Sequence, residues 1–238
     1  MARLQPVRDH DLIVTLLSPE RGRVDTWVHS GRKSTRRFGG RIEPFVFGRA
    51  GLKVGRGKLP ALSSFERQGV LVGPGPTYRA LCLASYVAEL ASNALQPEIS
   101  DPGVYRWALN AIAVIALEES ASIAACKLSI EIGFLAATGH LVAVDHCIRC
   151  RGGLSDGACW PSQGDALVCP SCAPHDSKRL DVEQVAAMVG LFASIAEGTS
   201  PPIVPDVGDD LLSSRIGRRM EETLPYRMRT EQALHAIV

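Results

Sequence analysis

Cys147-Ile148-Arg149-Cys150, answered by Cys169-Pro170-Ser171-Cys172, is the stretch from which the rest of this 238-residue chain is read. The two Cys-x2-Cys knuckles are separated by eighteen residues. Four thiolates suit a tetrahedral zinc ion, and a Cys-x2-Cys turn points two sulfurs at one metal. The segment between them, Arg151 to Val168, carries Gly152, Gly153, Gly157, Pro161 and Gly164 and no long apolar run. That composition predicts a hairpin that returns the second knuckle to the first. The spacing therefore predicts a zinc ribbon holding one structural Zn2+ per chain on Cys147, Cys150, Cys169 and Cys172. A four-thiolate site leaves no open position for a catalytic water. His146 and His175 flank the knuckles and read as surface residues, with replacement of a cysteine ligand as the alternative. Cys159, beside Trp160, reads as a small buried residue, and Cys82 and Cys126 as helix core.

The chain around the ribbon is 46% hydrophobic, enough to bury a core, and only 5% aromatic. No stretch approaches the roughly 20 uninterrupted apolar residues of a membrane helix, and Met1-Ala2-Arg3-Leu4-Gln5-Pro6 has no signal-peptide core. The expectation is a cytoplasmic protein with no membrane partner. The net charge of +1 conceals an asymmetry: Met1 to Ala80 carries fifteen Lys plus Arg against six Asp plus Glu, and the remainder eleven against nineteen. Clustered positive charge is rewarded by phosphate backbones, so a basic N-terminal part points to nucleic acid; the alternative is a solvated basic surface.

Residues 1–72 read as short strands. Leu12 to Leu17 is an apolar run ended by Ser18-Pro19. Val24 to Val28 alternates, with Val24, Thr26 and Val28 on one face and Asp25 and Trp27 on the other. Ile42 to Val54 is extended, with bulges expected at Gly48 and Gly51, and Leu59 to Val72 gives another strand or two. About five strands with basic loops predict an OB-fold β-barrel over residues 1–73. Gly73-Pro74-Gly75-Pro76 is a boundary. Thr77 then caps a helix to Gln96 whose stripe is Leu81, Ala84, Ala88, Ala91 and Leu95. Asp101-Pro102 opens a second helix, Ser122 to Thr138 is a third ended by Gly139, Asp181 caps a fourth to Glu197, and a last runs from about Asp209 to Thr223. The predicted plan is α+β: the barrel, then a helical domain over 77–145 and 177–238, with the ribbon at 146–176 inserted in it.

The densest basic segment is Gly31 to Arg41, with Arg32, Lys33, Arg36, Arg37 and Arg41 around one aromatic residue, Phe38. The cations supply salt-dependent attraction to phosphates, and Phe38 either stacks on a base or packs inside. Lys53, Arg56 and Lys58 around the next β-turn, with Arg21 and Arg23, complete the candidate nucleic-acid surface. None of these is a base-reading pattern, so weak sequence preference is expected. The chain lacks a Gly-x4-Gly-Lys-Ser/Thr loop, a Gly-x-Ser-x-Gly elbow, a His-Glu-x2-His helix and the His-x-Glu of zinc deaminases. The expectation is a protein that is not an enzyme.

The order of these parts resembles the RecO family of bacterial DNA repair and recombination mediators. Asp9 to Leu17 followed by Glu20-Arg21-Gly22-Arg23 is similar to that family's opening strand pair. Ser30-Gly31-Arg32-Lys33-Ser34 leading to Gly40-Arg41-Ile42-Glu43-Pro44-Phe45 is similar to its basic loop and third strand. Leu59 to Glu66 resembles the end of its OB domain, Tyr86-Val87-Ala88-Glu89-Leu90 its first bundle helix, and Thr138-Gly139-His140 with Asp145-His146-Cys147 its approach to the zinc site. The resemblance implies binding of single- and double-stranded DNA, annealing of complementary strands, work with RecR, and help to RecA, indirectly, on strands coated by single-stranded DNA-binding protein (SSB), whose acidic tail some members bind. It implies no covalent chemistry. The sequence departs from the family where Arg151 intervenes between the first knuckle and Gly152. Two other classes stay open: a zinc-ribbon nucleic-acid factor of transcription or translation, and an enzyme using an unpaired cysteine or an unrecognised zinc site.

Overall fold

A computed structural model describes all residues except 8, 34–36, 39, 56, 74, 142, 165, 197–209, 225–227 and 236–238. The chain forms two compact units, Met1–Ile123 with Met228–Val238, and Ala124–Arg227. The division runs through the helical part of the chain, so among the described residues the first unit holds the five-stranded sheet and three helices.

In the first unit five strands form one sheet: β1 (Arg3–Pro6), β2 (Leu12–Ser18), β3 (Gly22–Val28), β4 (Val46–Lys53) and β5 (Ala61–Val70), in the order β1-β2-β3-β5-β4. Pairing is antiparallel except for β3 with β5, which meet in parallel at Trp27 and Ala61. Val24, Thr26 and Val28 are buried, and Asp25 and Trp27 lie on the other face, as the alternation predicts. Leu12, Val14, Leu16, Val46, Leu62 and Phe65 fill the same core, with Phe38 and Ile42 from the long β3–β4 connection. Register shifts fall between Phe47 and Gly48 and between Gly51 and Leu52, the two expected bulges.

The predicted OB-fold is present as an OB-like five-stranded sheet, and among the described residues it does not close into a barrel. Among the described residues β1 and β4 share no ladder. Their edges meet only at one corner, where Phe45 N–H donates to Met1 O (2.9 Å) and Met1 N to Val46 O (2.7 Å). β1 is four residues long and was not foreseen from its short polar sequence.

Helix α1 (Tyr78–Ala94) starts where Thr77 Oγ1 accepts the Ala80 N–H. Leu81 of the expected stripe is exposed, while Cys82, Leu83, Tyr86, Val87 and Leu90 are buried with Ala84, Ala88 and Ala91. The buried face is wider than one stripe because α1 packs against α2, α6 and β2. Helix α2 (Pro102–Leu117) has Asp101 accepting from the Gly103 and Val104 N–H groups, with Pro102 at its first turn. The β2–β3 turn docks on the α1–α2 connection: Gly22, at φ +61°, has carbonyls of Gln96 and Ile99 where a Cβ would be. Helix α6 (Arg229–His235), also not foreseen, is held by Glu89, which accepts from the N–H groups of Arg229 and Thr230.

The second unit contains α3 (Ile123–Ala137, from its second residue onward), strands β6 (Ala158–Trp160) and β7 (Lys178–Leu180), α4 (Val182–Ala196) and α5 (Asp210–Thr223). Asp181 and Gln184 cap α4 reciprocally, each side chain accepting the other's N–H. β6 lies between the knuckles and β7 after them, so the ribbon's pairing runs past the expected boundary at residue 176.

Candidate metal centre and nucleic-acid interface

The two knuckles meet. Cys147 N–H donates to Gly152 O (2.8 Å), Arg151 N–H to Cys147 O (2.8 Å) and Cys172 N–H to Cys169 O (3.0 Å), which closes two tight turns. Cys159 and Val168 exchange both backbone hydrogen bonds across the intervening hairpin. Arg149 ties one knuckle to the other by donating to Cys172 O at 2.9 Å. The four Sγ atoms of Cys147, Cys150, Cys169 and Cys172 lie within 4.8 Å of one another. Cys150 and Cys169 are 3.8 Å apart. Tetrahedral Zn–S bonds of roughly 2.3 Å require S···S separations of about 3.8 Å, so the donor set and its spacing fit zinc.

The electrostatics of this cluster are uneven. Burial acts to raise the Cys147 thiol, but backbone N–H groups of Cys150, Cys169 and Arg149 overcome it and bring the thiol down to about 6. Hydrogen bonds with Cys169 and Cys150, then burial, push Cys172 up to about 12. Arg151, the departure from the family pattern, sits at φ +63°, a left-handed position that favours glycine. His146 bonds Asp145 at 2.8 Å and His175 is exposed; neither joins the cluster. Cys159, Cys82 and Cys126 are buried, as read.

One supporting residue has no local signal. Arg215 of α5 is 8% exposed and donates to Ser162 O (3.1 Å), Gly164 O (3.1 Å) and Pro161 O (2.7 Å). Its guanidinium thus ties α5 to the hairpin between the knuckles through three backbone carbonyls.

The predicted basic residues of the first unit divide. Arg32, Lys33, Arg37, Arg41, Lys53 and Lys58 are exposed, whereas Arg36 and Arg56 lie outside the described residues. Arg21 and Arg23 sit at the far end of β3 from Arg32, on the order of 20 Å away at about 3.3 Å per residue. Both are engaged within the protein: Arg21 pairs with Glu98 (2.5 Å), and Arg23 contacts Asp25 (3.6 Å) and Ser92 O (3.0 Å). Phe38, the expected stacking residue, is 2% exposed. The Arg37 guanidinium carbon covers its ring at 4.4 Å from the centroid, leaving Phe38 no face for a base.

Arg37 also donates to the His29 carbonyl, and Arg32 to Asp9 O at 3.3 Å, so the basic loop folds back on the end of β3. There Asp11 accepts from Ser30 N–H (2.8 Å) and from Trp27 Nε1–H (3.1 Å). The Ser30 N–H first, then the Trp27 indole and the His29 ring, hold the Asp11 carboxyl below its usual range.

The chain was compared with known proteins. It matches Recombination protein O N terminal over residues 2–68 and Recombination protein O C terminal over residues 76–194. It is 30% identical to a DNA repair protein RecO of Anaeromyxobacter sp. (strain K), covering 89% of this chain and 87% of the relative. It is 31% identical to the protein of that name from Anaeromyxobacter sp. (strain Fw109-5), with the same coverage, and 29% identical to that of Frankia casuarinae over 82% of this chain and 79% of the relative.

Proposed function

Because the chain belongs to the RecO family and has a role in DNA repair, we propose that it is a recombination mediator acting on DNA strands without covalent chemistry. It binds single- and double-stranded DNA through the exposed cations Arg32, Lys33, Arg37, Arg41, Lys53 and Lys58. It anneals complementary strands and, with RecR, assists RecA on strands coated by SSB. Family membership across both halves of the chain carries this reading. The loop cations support it, because neutralising phosphates on two strands removes the repulsion that opposes their pairing. The four cysteines hold one zinc ion, which fixes the two knuckles and has no open position for a reactant.

The test is annealing of complementary single strands, bare and coated by SSB, with and without RecR. The reading expects annealing of bare strands and a steep fall of affinity with salt, with a log–log slope of about −0.7 per phosphate contact on single strands. The double substitution Lys33→Glu and Arg37→Glu is expected to weaken binding and annealing together. Failure of the unaltered protein to anneal bare strands would overturn the reading, and metal analysis finding no zinc would overturn the assignment of the cysteines.

A further inference from the structure

The backbone register sets out a row across the sheet that no charge pattern reveals. Gln5 is opposite Ile13, Ile13 opposite Trp27, Trp27 opposite Ala61, and Ala61 opposite Lys53. Residues in register on neighbouring strands project from the same face. Gln5 and Lys53 are exposed, and Ile13, Trp27 and Ala61 half-buried, so the row lies on the face away from the core. It is neutral along its length until Lys53. Trp27 is at its centre, flanked on either side by apolar side chains, of which Ala61 is the smaller.

The indole is held in place. Its Nε1–H is shared between Asp11 Oδ2 (3.1 Å) and His29 Nδ1 (3.1 Å), and its backbone N–H donates to Pro60 O (2.9 Å). The His29 ring is tilted against it at 6.0 Å. A ring fixed along its polar edge stacks with little loss of rotamer freedom. The neighbouring carboxylates are engaged: Asp11 by the indole and the Ser30 N–H, Asp25 by Thr15 Oγ1 at 2.7 Å and by Arg23. Cations border the row on two sides. Lys53 stands two strands from Trp27, about 10 Å at roughly 4.8 Å per strand. Arg37 is bonded to the carbonyl of His29, two residues from Trp27. An aromatic ring between cations, with its neighbouring carboxylates already engaged within the protein, suits an unpaired base with its phosphates to either side.

We infer that Trp27 is the base-stacking site of this sheet for single-stranded DNA, and that the row Ile13-Trp27-Ala61-Lys53 is the path of the strand across it. This rests on the DNA-binding reading above and supplies the aromatic contact that the buried Phe38 does not.

The experiment uses the full chain and two oligonucleotides of equal length and charge, oligo-dT and its abasic counterpart. The unaltered protein is expected to bind oligo-dT more tightly than the abasic strand. Trp27→Ala is expected to lower oligo-dT affinity by roughly 5- to 150-fold, the range for losing one stacked base, with abasic affinity unchanged. Trp27→Phe is expected to retain most of the preference, which guards against a variant that merely fails to fold. Equal loss on both strands, no loss on oligo-dT, or a Phe variant as weak as the Ala variant would each overturn the inference. An unaltered protein that binds neither strand would instead overturn the DNA-binding reading, and the inference with it.

Discussion

Replacing Arg215 by Ala removes three hydrogen bonds with one change, and the structure allows the consequence to be estimated. The guanidinium donates to the carbonyls of Pro161, Ser162 and Gly164 and is 8% exposed. Hydrogen bonds to a charged partner contribute roughly 1.5–3 kcal/mol each before compensation. Water entering the vacated space recovers part of this for carbonyls in a surface hairpin, and the desolvation cost of burying the cation disappears with it. A net loss of about 2–4 kcal/mol follows, within the range for breaking a buried polar network. The loss should appear locally, as faster zinc transfer to a chromogenic chelator and as a change in emission from Trp160, which adjoins Pro161 and is 1% exposed. Arg215→Lys should recover only part of it, since an ammonium cannot reproduce the planar fork. Zinc transfer and denaturation midpoint both unchanged in Arg215→Ala would refute the view that α5 holds the ribbon through this side chain.

Arg151→Gly should stabilise the zinc-loaded protein. The left-handed φ of +63° costs a non-glycine residue roughly 1–2 kcal/mol, and the looser unfolded chain of glycine takes back roughly 0.4–1 kcal/mol. A net gain of about 0.5–1 kcal/mol is expected in denaturant titration. Gly22→Ala should be destabilising by about 3 kcal/mol or more, since its Cβ would lie 2.0 Å from Ile99 O, and circular dichroism melts will measure it. Asp11 has a depressed folded pKa, so its stabilisation is present above the usual carboxylate range and is lost as pH falls through the lower folded value. Acid titration of the Trp27 emission should show that loss, and Asp11→Asn should abolish it. Chelation of the metal should disorder the knuckles, seen as rapid thiol labelling of Cys147, otherwise fully buried, while the melting of the sheet is retained.

The features legible in the sequence are those fixed by neighbours along the chain. Thr77, Asp101-Pro102 and Asp181 bond N–H groups two or three residues away, so a short window contains the whole cause. Gly48 and Gly51 mark bulges for the same reason. The knuckles were legible because two residues between cysteines already set the turn. Phe38 was not, because Arg-Arg-Phe-Gly-Gly does not say which way the ring turns. It is buried in the same core as Val14, Val28 and Val46, which arrive from three strands. Arg21 and Arg23 add to a charge count exactly as Arg32 does, yet Glu98 and Ser92, more than sixty residues on, take them into the fold. Arg215 is a further case, since its partners lie 51 to 54 residues earlier in the chain.

The ribbon also shows how labour is divided between metal and protein. Leu154, Ala158, Trp160, Leu167, Val168 and Leu180 are all at most 6% exposed, so the hairpin and the strand after it bury apolar side chains without the metal. β6 and β7 pair antiparallel, and Arg215 bonds three carbonyls of the hairpin. Burying such side chains contributes about 1.5–3 kcal/mol each before conformational entropy is counted. The metal is thus left with the two tight turns, where Arg151 is strained and a shared cluster of thiols must be brought within van der Waals distance. A thiol at about 6 in Cys147 and one at about 12 in Cys172 describe a cluster in which the first negative charge is provided for by the backbone and further charge is opposed. A divalent cation, if bound, would relieve that opposition. On the proposed function the four cysteines would act on the shape of the knuckles, while contact with DNA would fall to the exposed face and basic loop of the sheet.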